Sequence, residues 1–103
     1  MKPIVFLGHS LDAIREFPAS VKRESGYELD KVQRGVDPKD WKPMPSIGPS
    51  VREIRIRIDG AWRLVYVANR NDAVYVLQSF QKKMQKTPMQ DIASIKSALK
   101  ELK

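Results

Sequence analysis

Apolar and polar residues alternate most regularly between positions 51 and 88, and the rest of the chain reads as support for that stretch. Ile54, Ile56 and Ile58 alternate with Glu53, Arg55 and Arg57, the two-residue period of a half-buried strand. Asp59-Gly60 signals a hairpin. Residues 62–69 continue as a second strand, with Trp62, Leu64 and Tyr66 on one parity and Arg63, Val65 and Val67 on the other. A third strand, 73–80, is apolar on both parities (Val74 and Val76 against Tyr75 and Leu77), which predicts a central position covered on both sides.

Register decides what the hairpin presents. A two-residue loop would pair Ile56 with Arg63 and bring an unpaired guanidinium among the isoleucines, which is costly. A three-residue loop, Asp59-Gly60-Ala61, pairs Ile58 with Trp62, Ile56 with Leu64 and Ile54 with Tyr66, leaving Arg57 beside Arg63 and Arg55 beside Val65 on the opposite face. The second register is therefore expected. It gathers Arg55, Arg57 and Arg63 on one face, where like charges meeting across strands destabilise a sheet. Such a group is either fully solvated or kept for an anion. Lys82, Lys83 and Lys86, just past the third strand, tilt the reading towards a phosphate site.

The flanks read as scaffold. An apolar run at 3–8 suits a buried strand, and Ser10 is a candidate N-cap for a helix turning Leu11, Ile14 and Phe17 inward. A second helix is expected from Pro18 to Arg34, stopped by Gly35, with Val21, Leu29 and Val32 as its apolar stripe. The two form a helical hairpin. His9, at a strand end, reads as a loop residue before it reads as a catalyst. Residues 36–50 carry four prolines and one glycine, a long loop pinned by Trp41, Met44 and Ile47. Trp41 plugs the edge of the core or, on the sharper reading, stacks on a base. Thr87-Pro88 opens a last helix with Ile92, Ile95, Leu99 and Leu102 along one side. Its first turn would aim N–H groups towards Lys82 and Lys83. The expected architecture is one α+β domain over residues 1–103 in the order β-α-α-β-β-β-α. An antiparallel twisted sheet carries the N-terminal helical hairpin on one face and a short C-terminal helix.

Charge sharpens this picture. Nineteen Lys+Arg against 12 Asp+Glu give a formal net charge of +7, which favours polyanionic partners, nucleic acid first. Between 51 and 86, eight basic residues face three acidic ones, so this segment carries most of the excess. The absence of cysteine excludes disulfides, thiolate-bound metal and a cysteine nucleophile, and one histidine with scattered carboxylates makes no zinc pattern. No metal or other cofactor is expected. No apolar run approaches the roughly 18 residues of a membrane span, and no secretory signal opens the chain, so a cytoplasmic protein without membrane contact is expected.

The order of elements joins four motifs: Asp40-Trp41-Lys42-Pro43-Met44, Val51-Arg52-Glu53-Ile54-Arg55-Ile56, Trp62-Arg63-Leu64-Val65-Tyr66 and, most specific, Phe80-Gln81-Lys82-Lys83-Met84-Gln85-Lys86-Thr87-Pro88. Together they resemble the RelE/ParE superfamily of toxins from type II toxin–antitoxin modules, and more narrowly its phage-derived, HigB-like branch. The resemblance implies a RelE-like fold and a ribosome-dependent, metal-independent endoribonuclease. In such an enzyme the 2′-hydroxyl of the messenger RNA attacks the neighbouring phosphate, leaving a 2′,3′-cyclic phosphate and a free 5′-hydroxyl. It implies catalytic roles for Arg55, Arg57, Arg63, Lys82 and Lys83, RNA contacts for Arg52, Lys86, Trp41 and Phe80, and a cognate helix-turn-helix antitoxin as partner beside the ribosome and mRNA. Relatives carry a tyrosine or histidine a few residues past the basic cluster. Thr87, Pro88 and Met89 stand there instead, so either stacking on the scissile nucleotide is lost or Tyr27, Trp41 or Phe80 supplies it.

The chemistry suits these side chains. A preorganised donor to the phosphorane is worth roughly 10²–10³ in rate. Lysine, with an ordinary pKa of about 10.4, is a poor base, but neighbouring cations lower that value. Lys82 or Lys83 is thus a candidate proton acceptor, and Arg63 is confined to charge stabilisation. Two other functions compete: a gyrase-poisoning toxin of the same fold, against which the grouping of Arg55, Arg57 and Arg63 speaks, and a phage-derived module that grips nucleic acid without chemistry, its affinity falling steeply with salt.

Overall fold

The computed structural model describes residues 1–83 and 85–102. Within them lie five strands and three helices: β1 (Ile4–Phe6), α1 (Ser10–Arg15), α2 (Ala19–Gln33), β2 (Trp41–Pro43), β3 (Val51–Arg57), β4 (Ala61–Val67), β5 (Val74–Lys82) and α3 (Met89–Lys100). The strands are ordered β1-β5-β4-β3-β2, with β1 parallel to β5 and the other pairings antiparallel. The sheet is therefore mixed, not antiparallel throughout, and the order of elements gains a strand. Both departures have a physical cause. β1 pairs Ile4 with Val74, a contact between distant segments that local periodicity does not encode. β2 is cut from the proline-rich loop, where Trp41 pairs with Ile54 and Pro43, lacking an N–H, is tolerated at the sheet edge.

The β3–β4 hairpin keeps the expected faces but not the expected pairs. Its loop is Ile58-Asp59-Gly60, so Arg57 meets Ala61, Ile56 meets Trp62, Arg55 meets Arg63 and Ile54 meets Leu64. This slip of two residues preserves parity, which is why the faces survive it. Asp59 and Gly60 adopt positive φ of 47° and 135°. Trp62 Nε1 donates to the Ile58 carbonyl at 2.9 Å, satisfying the indole and holding Ile58 in the turn.

Each face of the sheet has its own core. On one, Ile54, Ile56, Leu64 and Val76 meet Val21, Leu29 and Val32 of α2, and the rings of Phe17 and Trp62 lie 4.8 Å apart. On the other, Val51, Val65, Val67, Leu77 and Phe80 meet Ile95 and Ala98 of α3. Each fully buried aliphatic side chain contributes roughly 1.5–3 kcal/mol. The central position expected for the third strand holds, and a bulge adapts it. Tyr66 pairs with Val76 and Val65 with Gln78, leaving Leu77 as an extra residue. Beyond it Phe80 stands opposite Arg63 and Lys82 opposite Ala61, on the α3 face. Without the bulge their parity would turn them to α2.

At the helix ends, Ser10 is the first residue of α1 and not its cap, because its hydroxyl donates to the Val76 carbonyl at 3.1 Å. Gly35 follows the end of α2 with φ of 79°. Pro88, not Thr87, precedes α3 as its N-cap. Among the described residues no helix is long and apolar enough to cross a membrane.

Candidate nucleic-acid interface

On the α3 face of the hairpin, cross-strand pairs change from apolar to charged towards the turn. Val51 faces Val67, Glu53 faces Val65, Arg55 faces Arg63 and Arg57 faces Ala61. Arginines directly opposite one another repel, and two carboxylates offset this. Asp40 Oδ1 accepts from Arg55 Nε at 2.9 Å and lies 2.7 Å from Nη2. The Arg55 backbone N–H also donates to the Asp40 carbonyl at 2.8 Å. Glu53, 2% exposed, places Oε1 3.5 Å from Arg63 Nε and 3.7 Å from Lys42 Nζ. Among the described residues neither Glu53 Oε1 nor Arg63 Nε completes a hydrogen bond, although Arg63 Nη1 donates to the Trp62 carbonyl at 3.1 Å.

Burial lowers the pKa of the Arg63 guanidinium; Glu53 pulls it up, and Arg55 and Arg57 push it further down. Lys82 is lowered as well, by burial first and by Arg63 second, with Glu53 opposing. The direction for Lys82 is the one expected, but burial outweighs the neighbouring cations. Arg63 is only 7% exposed, so it acts on a ligand mainly through its field. Arg57 is exposed and takes part in no ion pair among the described residues.

One end of one face thus holds Arg55, Arg57, Arg63 and Lys82, with Lys42 beside them. Other expected contacts are separated from it. Arg52 pairs with Tyr66 on the α2 face, its guanidinium 4.2 Å from the centre of the Trp41 ring and 3.3 Å from Asp37. Arg52 and Trp41 therefore lie across the sheet from the cluster, as their parity requires, since Trp41 stands opposite Ile54. Phe80 is 7% exposed and packed into the α3 core, so it is a core ring and not an open stacking platform. Tyr27 is exposed on α2 with Lys31 Nζ 4.7 Å from its ring centre. Lys83 and Lys86 are exposed between β5 and α3 and take part in no ion pair among the described residues. The first turn of α3 carries Asp91, whose Oδ1 accepts from Gln78 Nε2 at 3.2 Å. A carboxylate of the chain itself already stands where an external anion was expected.

Sequence reasoning missed Asp40, Lys42 and Glu53 as parts of this site. Glu53 shares parity with Arg55 and was readable as its neighbour. Asp40 and Lys42 arrive only through β2 and the residue before it, which periodicity did not reveal.

A mixed five-stranded sheet with helices on both faces is compatible with a RelE-like fold. Residues 12–100 match the family described as phage-derived protein Gp49-like (DUF891), and the chain belongs to that toxin-like family. No curated protein matches the chain.

Proposed function

We propose that the chain is the toxin of a toxin–antitoxin pair and cleaves messenger RNA on the ribosome, directing the substrate's own 2′-hydroxyl at the adjacent phosphate. The observation that carries this reading is the collection of Arg55, Arg57, Arg63 and Lys82 at the turn end of the α3 face. Arg57 and Lys82 contact the phosphate. Arg55 and Arg63, held by Asp40 and Glu53, supply positive field around the phosphorane. Lys82, with its depressed pKa, accepts the 2′-hydroxyl proton as the new P–O bond forms. The P–O bond to the 5′-oxygen breaks, and that oxygen takes a proton from water. Lys83 and Lys86 extend the grip on the RNA backbone, and a helix-turn-helix antitoxin holds the toxin inactive. Membership of a phage-derived, toxin-like family supports the toxin reading.

The capping of Arg55 by Asp40 and of Arg63 by Glu53 favours a second reading, a module that grips nucleic acid without cleaving it. Mapping RNA ends after induced expression separates the possibilities. Cleaved messages ending in 2′,3′-cyclic phosphate are expected. Growth arrest with DNA damage and intact messages would point to a gyrase-directed toxin, and RNA binding without new ends to the binding module.

A further inference from the structure

On the α2 face, at the end of the hairpin far from the turn, lies a cavity of about 330 Å³, within the range of small-ligand sites. Val32, Val36, Pro38 and Ala68 give it apolar walls, and two cations, Lys2 and Arg52, line it with one acid, Asp37. Tyr66 also lines it. That residue is 1% exposed, and its hydroxyl is buried with no hydrogen-bond partner among the described residues. Burial raises the hydroxyl's pKa while Arg52 draws it down and Asp37 pushes it up. The two charges that act on the hydroxyl line the same cavity as its ring. Arg52 acts on the hydroxyl without completing a hydrogen bond to it. A buried hydroxyl left unpaired is destabilising, and native structures rarely keep one without a ligand or water to fill it.

The remaining polar groups have capacity to spare. Asn69 Nδ2 donates once, to Ser50 Oγ at 2.7 Å, leaving a carbonyl oxygen and a second amide hydrogen, the acceptor–donor pair that reads the edge of a base. Lys2 Nζ gives one hydrogen to the Ala68 carbonyl at 2.8 Å and keeps two. The Arg52–Asp37 pair is solvent-facing, with side chains 40% and 66% exposed, so it is weak and easily exchanged for a phosphate.

We propose that this cavity binds a single nucleotide, its base turned in to the Tyr66 hydroxyl and the Asn69 amide and its phosphate held by Lys2 and Arg52. The nucleotide is either a free mononucleotide or one residue of an RNA chain. The site lies across the sheet from the hairpin cations and does not rest on the ribonuclease reading.

The full chain is titrated with each of the four ribonucleoside 5′-monophosphates, their unphosphorylated nucleosides and a short single-stranded RNA. Amide resonances of residues 50–52 and 66–69 report occupancy. One monophosphate should shift them saturably, with its nucleoside at least ~tenfold weaker. Tyr66→Phe should weaken binding by roughly tenfold, since it deletes only the hydroxyl, and should raise the Tm of the unliganded protein. Arg52→Gln should flatten the salt dependence of binding. Shifts with the RNA alone, still sensitive to Tyr66→Phe, identify an RNA residue as the occupant. If neither nucleotide nor RNA moves these resonances, or if Tyr66→Phe binds as tightly as the parent, the proposal is wrong. Loss of RNA cleavage with this binding intact would instead count against the ribonuclease alone.

Discussion

The two faces of the β3–β4 hairpin carry their charges at opposite ends. On the α2 face Ile56–Trp62 and Ile54–Leu64 stand near the turn and Arg52–Tyr66 at the far end. On the α3 face the arginines stand near the turn and Val51–Val67 at the far end. The apolar ends are those the helices cover, α2 with the turn end of one face and α3 with the far end of the other. Parity decides which face a side chain joins, and the reach of the covering helix decides which end of that face stays polar. The two polar ends differ in one respect that matters. Near the turn the cations are crowded and partly neutralised by buried or half-buried carboxylates; at the far end a cavity separates fewer charges.

The largest effect should come from breaking the buried pair of the α3 face. Arg63→Ala or Glu53→Ala leaves a charge buried without its partner and is expected to cost about 3–5 kcal/mol in urea unfolding. Glu53→Leu combined with Arg63→Met should recover most of that loss. A nearly neutral Arg63→Ala would mean that the charged end of this face is solvated and not a buried pair. Arg57→Ala tests the same end with little structural cost. Stability should change by less than about 0.5 kcal/mol, while cleavage of ribosome-bound mRNA falls roughly 10²–10³-fold. Arg15→Ala, an exposed charge on α1, is the matched control and should leave cleavage unchanged.

A pH series sharpens the contrast further. The folded state lowers the pKa of Lys82, so the neutral amine is reached at a lower pH than for an ordinary lysine. Single-turnover cleavage should rise with pH and level off below the ordinary lysine value of about 10.4, and Lys82→Arg should remove that rise. For stability the sign is set by proton uptake. Between the depressed and the ordinary value the unfolded chain binds more protons, so Lys82 contributes a gain in stability as pH rises through that window. Urea midpoints of the parent and Lys82→Arg compare it directly. A purely structural effect is expected on the α2 face, where Ser10→Ala removes the bond from α1 to the Val76 carbonyl. It should cost about 1 kcal/mol in thermal unfolding and leave cleavage intact.

The hairpin's faces were legible because isoleucine and arginine alternate without interruption, and a register slip of two residues cannot exchange them. The span of α2 and its stop at Gly35 were legible for local reasons, as was the inward stripe of α3 at Ile95, Leu99 and Leu102, though Ile92 stays outside that core. What stayed hidden depends on contacts between distant segments. Nothing near Ile4 encodes its parallel partner Val74, and β2 is too short and too rich in proline to show a period. The bulge at Leu77 inverts the apparent parity of Phe80 and Lys82, so the lysine was expected beside the arginines but the register that puts it there was not. Asp40 is likewise invisible as the partner of Arg55 until the residue before β2 is set against β3.

The most direct test is the double variant Arg57→Ala with Lys82→Ala, assayed side by side for far-ultraviolet circular dichroism and for cleavage of ribosome-bound mRNA. The account predicts a parental spectrum and no fragments ending in cyclic phosphate. A folded double variant that still produces those fragments at the parental rate would contradict it.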